Sequence, residues 1–116
     1  MCPVSLAAQL LAPTTVAVAT SQTTVATFDS RYTNTLTVQV ENLDATSVFA
    51  GKVQRRLDSA MGWADTTLTD FAAVGPGESV CADLDVQGTS DVRIVGAMSD
   101  ASGNVTVTAR RRSDSR

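Results

Sequence analysis

The chain contains no histidine. Catalysis by a histidine-activated serine or cysteine is therefore excluded, and so is any zinc site that uses imidazole. Only two cysteines occur, Cys2 and Cys81, too few for a four-thiolate metal site. One disulfide is all they can form, and reduced thiols are the ordinary state for a protein made in the cytosol. Aromatic residues are scarce at 4%: Phe28, Tyr32, Phe49, Trp63 and Phe71. No apolar run approaches the ~20 residues of a membrane span. The apolar start, Met1 to Ala19, has no Lys or Arg before it and is interrupted by Pro3, Gln9 and Pro13, unlike a signal peptide. The expectation is a cytoplasmically made protein with no membrane partner. Basic charge is also short. Nine Lys and Arg face 12 Asp and Glu for a net charge of -3, which argues against a surface devoted to nucleic acid.

What is present points to strands. Val, Ala and Thr dominate and Leu is sparse; Val and Thr branch at Cβ and favour extended backbone. A length of 116 residues suits one domain. Alternation with a period of two marks four segments: Thr35 to Glu41, Glu78 to Val86, Asp91 to Ser99 and Asn104 to Arg110. In them Leu36, Val38, Val40, then Val80, Ala82, Leu84, then Val92, Ile94, Gly96, Met98, then Val105, Val107 and Ala109 are expected to point inward. Thr15 to Thr20, Thr23 to Phe28, Ser47 to Leu57 and a bulged Thr67 to Val74 are weaker strand candidates. Ser5 to Ala12 has room for at most two helical turns before Pro13. Gly75-Pro76-Gly77, Gly88 to Asp91 and Asp100 to Asn104 read as turns.

Seven or eight short strands separated by turns describe an all-β antiparallel sandwich of jelly-roll or Greek-key type. The expected organisation is an N-terminal arm over 1–13, a sandwich over 14–110 and a basic C-terminal tail over 111–116.

The candidate sites are few. Asp83, Asp85 and Asp91 around Gly88 lack the terminal Glu and flanking helices of a calcium loop, and read as a solvated strand edge. Asp58, Asp65 and Asp70 surround Trp63. Paired carboxylates can run glycoside hydrolysis only when a cleft holds them at a fixed separation, and a single tryptophan offers little for a sugar chain to stack on. The plainer reading has Trp63 capping one end of the core. Arg55 and Arg56 end an alternating strand. Either the strand has left the core by Arg55, or an inward arginine requires a carboxylate or a subunit interface. Arg110, Arg111 and Arg112 begin a basic terminus that is either simply solvated or touches nucleic acid or an acidic protein surface. Arg55, Arg56, Trp63, Arg110, Arg111 and Arg112 are thus the candidate partner-binding residues. No catalytic set, metal site or cofactor is expected.

Val38-Gln39-Val40-Glu41-Asn42, Phe49-Ala50-Gly51-Lys52-Val53, Trp63, Gly75-Pro76-Gly77-Glu78-Ser79 and Val92-Arg93-Ile94 lie in a layout over residues 35–110 that resembles small jelly-roll proteins. These include the decoration (cement) proteins of tailed-phage heads, other phage virion components and carbohydrate-binding modules. The resemblance to decoration proteins implies a non-enzymatic virion component that sits on a capsid lattice, often as a homo-oligomeric trimer with termini reaching its neighbours. It transfers no site residue. The alternative is a carbohydrate-binding or adhesion module using Trp63 and the nearby aspartates.

Overall fold

The computed structural model describes residues 7–31 and 33–112, with side chains described for 11–31 and 33–111. Eight strands form in chain order: β1 (Ala7–Val18), β2 (Thr23–Asp29), β3 (Thr35–Asn42), β4 (Phe49–Arg56), β5 (Ala64–Asp65), β6 (Ser79–Asp85), β7 (Asp91–Met98) and β8 (Gly103–Arg112). They make two four-stranded sheets, β1-β8-β3-β6 and β2-β7-β4-β5, in which every pairing is antiparallel. This interleaved order, with chain neighbours divided between sheets, is that of a jelly roll.

Alternation built the strands as the sequence implies. In β3 Leu36, Val38 and Val40 are buried while Gln39 and Glu41 are exposed. Val92, Ile94 and Met98 of β7 and Val105, Val107 and Ala109 of β8 are buried as well. One-sided burial in both sheets leaves a single apolar layer between them. Phe49 occupies its most crowded point. Its ring lies against Gly51 and Gly96, which are register partners on β4 and β7, and a Cβ on Gly96 would stand 2.6 Å from the ring. The two missing side chains form the notch that the ring fills.

Two turns follow from glycine. Glu78 N donates to Gly75 O at 3.0 Å across Pro76 and Gly77, whose φ of 74° is the left-handed value a type II turn requires. Gly88, at φ 83°, serves the same purpose between Val86 and Thr89.

Three expectations are corrected. Residues Ala7 to Ala12 are strand, the start of β1, because their backbone pairs with Arg112 back to Ala109 of β8 rather than with itself. β1 runs through Pro13, and its register with β8 shifts between Leu11 and Thr14. Thr67 to Val74 is not a strand; only Val74 pairs, through an isolated bridge to Phe49, while Phe71 and Val74 are drawn into the core. The strand expected over Ser47 to Leu57 is Phe49–Arg56, and Leu57 beyond it is 71% exposed.

Candidate functional site

β4 and β7 pair without a bulge, so Gln54 stands opposite Arg93 and Arg56 opposite Asp91 on the outer face of their sheet. The connection 57–63 then folds back and lays Trp63 over this face. The Arg56 guanidinium lies 4.3 Å and that of Arg93 4.6 Å from the indole centroid. Each such contact contributes about 0.5–1 kcal/mol at a partly exposed site. Arg56 Nε also donates to Asp91 Oδ2 at 2.9 Å. Arg93 Nε donates to Gln54 Oε1 at 2.8 Å, and Gln54 Nε2 donates to Asp65 Oδ1 at 2.8 Å. Lys52 Nζ reaches the same carboxylate at 3.2 Å. Hydrogen bonds from Gln54 and then Lys52 hold the Asp65 carboxyl below its ordinary range. A continuous polar network thus runs from Lys52 through Asp65, Gln54, Arg93 and Trp63 to Arg56 and Asp91.

Trp63 is therefore not a core cap, the placement expected from sequence. It is half-buried on the outside of a sheet because two arginines face it there. The carbohydrate reading is affected too, since the ring that would stack on a sugar is already occupied by cations. Its three aspartates part company. Asp58 lines a cleft between loops, Asp65 joins the outer-face network, and Asp70 lines a groove with Arg55, Asp83 and Asp85.

Arg55 resolves one of the open alternatives. It is exposed and its strand remains in register with β7 to Arg56, so the strand leaves the core without a bulge. Arg55 and Arg56 both line a groove of about 380 Å³ with Leu57, Met61, Gly62 and Gln87. Leu57 and Met61 are 71% and 63% exposed. Arg110 and Arg111 are exposed on β8, which continues to Arg112; the Arg112 side chain lies outside the described residues, as do Cys2, Tyr32 and residues 113–116. β8 belongs to the other sheet, and of the described side chains Arg110 and Arg111 do not join Trp63.

A second concavity, of about 590 Å³, opens between the loops after β2, β4 and β6. Ser30 and Thr89 meet hydroxyl to hydroxyl at 2.6 Å in its floor. The Thr33 hydroxyl is buried there without a partner. At its rim Asp29 accepts from Arg31 Nη2 at 2.8 Å, and its carboxyl is lowered to about 2 by that side chain and then by the Arg31 backbone N–H. Asp83 accepts from Thr37 Oγ1, Asp85 from Gln87 N, and Asp91 from Arg56, so the three sequence-adjacent aspartates have separate partners. Among the described residues no group of three carboxylates or thiols is placed to hold a metal ion.

The acidic side chains set an acid limit on stability. Asp29, at about 2 against an ordinary 3.8, and Asp44, lowered by the N–H groups of Ser47 and Thr46, both favour the folded chain when ionised. Their contribution is complete above the unfolded values and is lost as pH falls through the folded ones. The urea midpoint should hold steady down to about pH 4 and then decline toward about pH 2. Asp29→Asn should flatten part of that decline. A midpoint indifferent to pH in this window would refute the assignment.

Sequence reasoning missed Arg93 and Gln54. Their positions on the polar phase of β4 and β7 were legible, but only the strand register brings them together under Trp63. No protein-family model and no curated protein sequence matches the chain. Solved structures do. A SPBc2 prophage-derived protein, YomS, aligns at 22% identity over 88% of this chain and 96% of that one, with a TM-score of 0.56. PirA aligns at 16% identity over 84% and 92%, with a TM-score of 0.60. The disulfide-linked pili of Bacillus endospore appendages align at 14% identity over 93% and 89%, with a TM-score of 0.50. The expected likeness to phage jelly-roll proteins is thus found in structure, and at these identities it establishes the fold. Among the described residues no helix is long and apolar enough to cross a membrane.

Proposed function

We propose that this chain is a non-enzymatic structural subunit that assembles with copies of itself or on a larger protein lattice. In its most specific form it is a decoration protein on a virion, bound through sheet edges and extended ends. The observation that carries this reading is β1. It is an edge strand of 12 residues, Ala7–Val18, and contains no charged side chain. Edge strands of monomers are normally short, charged, covered, or broken by proline and bulges, because unpaired N–H and C=O groups recruit other strands. β1 carries Pro13 and shifts register between Gln9 and Leu11 and between Leu11 and Thr14, so its regular, uncharged stretch is Thr14 to Val18. The opposite edge of the same sheet, β6, follows that rule with outward Asp83 and Asp85. The uncharged run from Thr14 to Val18, on the edge opposite a charge-guarded one, supports a strand that takes a partner. Likeness to a prophage-derived protein and to a pilus protein supports the same reading.

Sedimentation velocity on the purified chain tests it. The expected species is an oligomer or particle several chains in mass. Ala12→Lys with Thr14→Lys should lower the mass of that species by guarding the edge against a further strand. A monomer at every soluble concentration, with no affinity for any shell, would refute the proposal.

A further inference from the structure

The strand directions divide the sandwich into two unlike ends. At one end lie the start of β1, β3 and β7 and the finish of β2, β4, β6 and β8. Every arginine between residues 7 and 112 belongs to this end: Arg31 after β2, Arg55 and Arg56 closing β4, Arg93 near the start of β7, and Arg110 through Arg112 closing β8. Carboxylates are present there too. Asp29 and Asp91 are paired with Arg31 and Arg56, and Asp65 is held by Gln54 and Lys52. Asp58 and Asp85 accept from the backbone N–H groups of Ala60 and Gln87, and Asp70, Asp83 and Asp85 share a groove with Arg55. No described carboxylate pairs with Arg55. The far end holds the connections 19–22, 43–48 and 99–102 and the close of 66–78, which contain no Lys or Arg. It exposes Glu41, Glu78 and Asp100, with Asp44 half-buried.

Exposed apolar groups follow the same division. Leu57 and Met61, at the arginine end, flank the groove of about 380 Å³ that Arg55 and Arg56 wall. At the far end Leu43 is 50% exposed. Its N–H is fixed to Asn104 O, and its neighbour Asn42 bonds through N–H to Glu78 O. Glu41 and Asp44 lie close to it in sequence, Glu41 exposed and Asp44 half-buried with its carboxylate bonded to the N–H groups of Thr46 and Ser47. One end therefore presents an apolar hollow bordered by cations, and the other an apolar knob bordered by anions.

We infer that the far end of one copy docks on the arginine end of the next, with Leu43 seated in the groove between Leu57 and Met61 and its carboxylates facing Arg55 and Arg56. The occupant of the groove is a second copy of this chain. The contact joins two different surfaces, so it is heterologous and propagates into a ring or a filament. Opposed charge sets the polarity and excludes like-to-like contact of either end. The inference rests on the assembly reading above and adds an axis to it, perpendicular to growth at strand edges.

The test uses two variants at exposed side chains that carry no hydrogen bond, so the fold is left intact. Leu43→Lys puts a cation on the knob, and Met61→Glu puts an anion in the hollow. Each alone should weaken self-association by about tenfold or more, as loss of a central anchor does. Mixed in equal amounts they should recover it, because the lysine of one copy meets the glutamate of the other while the remaining pair of surfaces is unaltered. Association of the unmodified chain should also weaken between about 0.02 M and about 0.5 M salt. Sedimentation velocity reads all four samples, and circular dichroism checks that each variant is folded. If the unmodified chain associates but both variants match it, the end-to-end contact is wrong while assembly through strand edges stands. If the unmodified chain remains a monomer in low salt, the self-contact is refuted and assembly of copies falls with it.

Discussion

Phe49→Ala should lower the stability of this domain by about 3–5 kcal/mol, the range for removing a fully buried phenylalanine. Domains of this kind are stable by about 5–15 kcal/mol in total, so the variant will be near or past its folding limit at ambient temperature. The effect is large because of where the ring sits. Phe49 is fully buried, opens β4, and bridges by backbone to Val74 while its ring fills the notch at Gly51 and Gly96. Neighbouring side chains cannot close the space, since both positions beneath the ring are glycines on paired central strands. Urea unfolding followed by the fluorescence of the single tryptophan gives the measurement. Gly96→Ala probes the same joint from the other side. A Cβ there meets both the ring and, at 2.8 Å, the carbonyl of Ala50, so a loss of about 1–3 kcal/mol is expected. A cost below about 1 kcal/mol for Phe49→Ala would mean that the notch collapses and that the ring is not the keystone described above.

The second large effect is polar. Asn42 is fully buried at the end of β3, and its side-chain amide donates to Ser47 O at 2.8 Å and to Val74 O at 3.0 Å. Its oxygen accepts from Asp44 N at 2.9 Å. One side chain thus ties the β3–β4 connection to the strand-like segment that ends at Val74. Asn42→Ala removes three bonds and leaves the Ser47 carbonyl and the Asp44 amide short of a partner, while Val74 O keeps the bond from Phe49 N. With roughly 1–3 kcal/mol for each buried group left unsatisfied, partly relieved by water at this end of the sandwich, a net loss of about 2–4 kcal/mol is expected. Asn42→Asp should be no better at neutral pH, because a carboxylate would then face two carbonyl oxygens. Thermal unfolding of both variants decides the matter; an alanine variant as stable as the parent would show that the connection is held by other means.

These joints differ in how far the sequence disclosed them. Val38 and Val40, Val105 and Val107, and Val92 and Ile94 announced themselves, since alternation depends only on which face of a strand is dry. The turn at Gly75-Pro76-Gly77 was equally plain, because its backbone requirement is local. Asn42 read merely as the close of a strand, since nothing in the sequence states that a polar side chain will be enclosed and matched. Trp63 was placed at the core for the ordinary reason that tryptophan is large and apolar. The pairing of Gln54 with Arg93 and of Arg56 with Asp91 put it outside instead, and pairing is a long-range property. Ala7 to Ala12 was misread because a short run of Ala and Leu suits helix and strand alike, and only β8 alongside decides between them. The separation of arginines from the far-end carboxylates was also invisible in linear order, where Arg31, Arg55, Arg93 and Arg110 are scattered. Strand direction alone gathers them.

β5 is only two residues long, and what replaces it has practical weight. Thr66 N bonds to Val53 O, Gly51 N to Phe71 O, and Phe49 and Val74 exchange bonds in both directions. The longest connection in the molecule is therefore a seam stitched along β4, with Phe71 and Val74 as its buried fasteners. Anyone threading a tag or foreign epitope into this scaffold should pass over that stretch, despite its length.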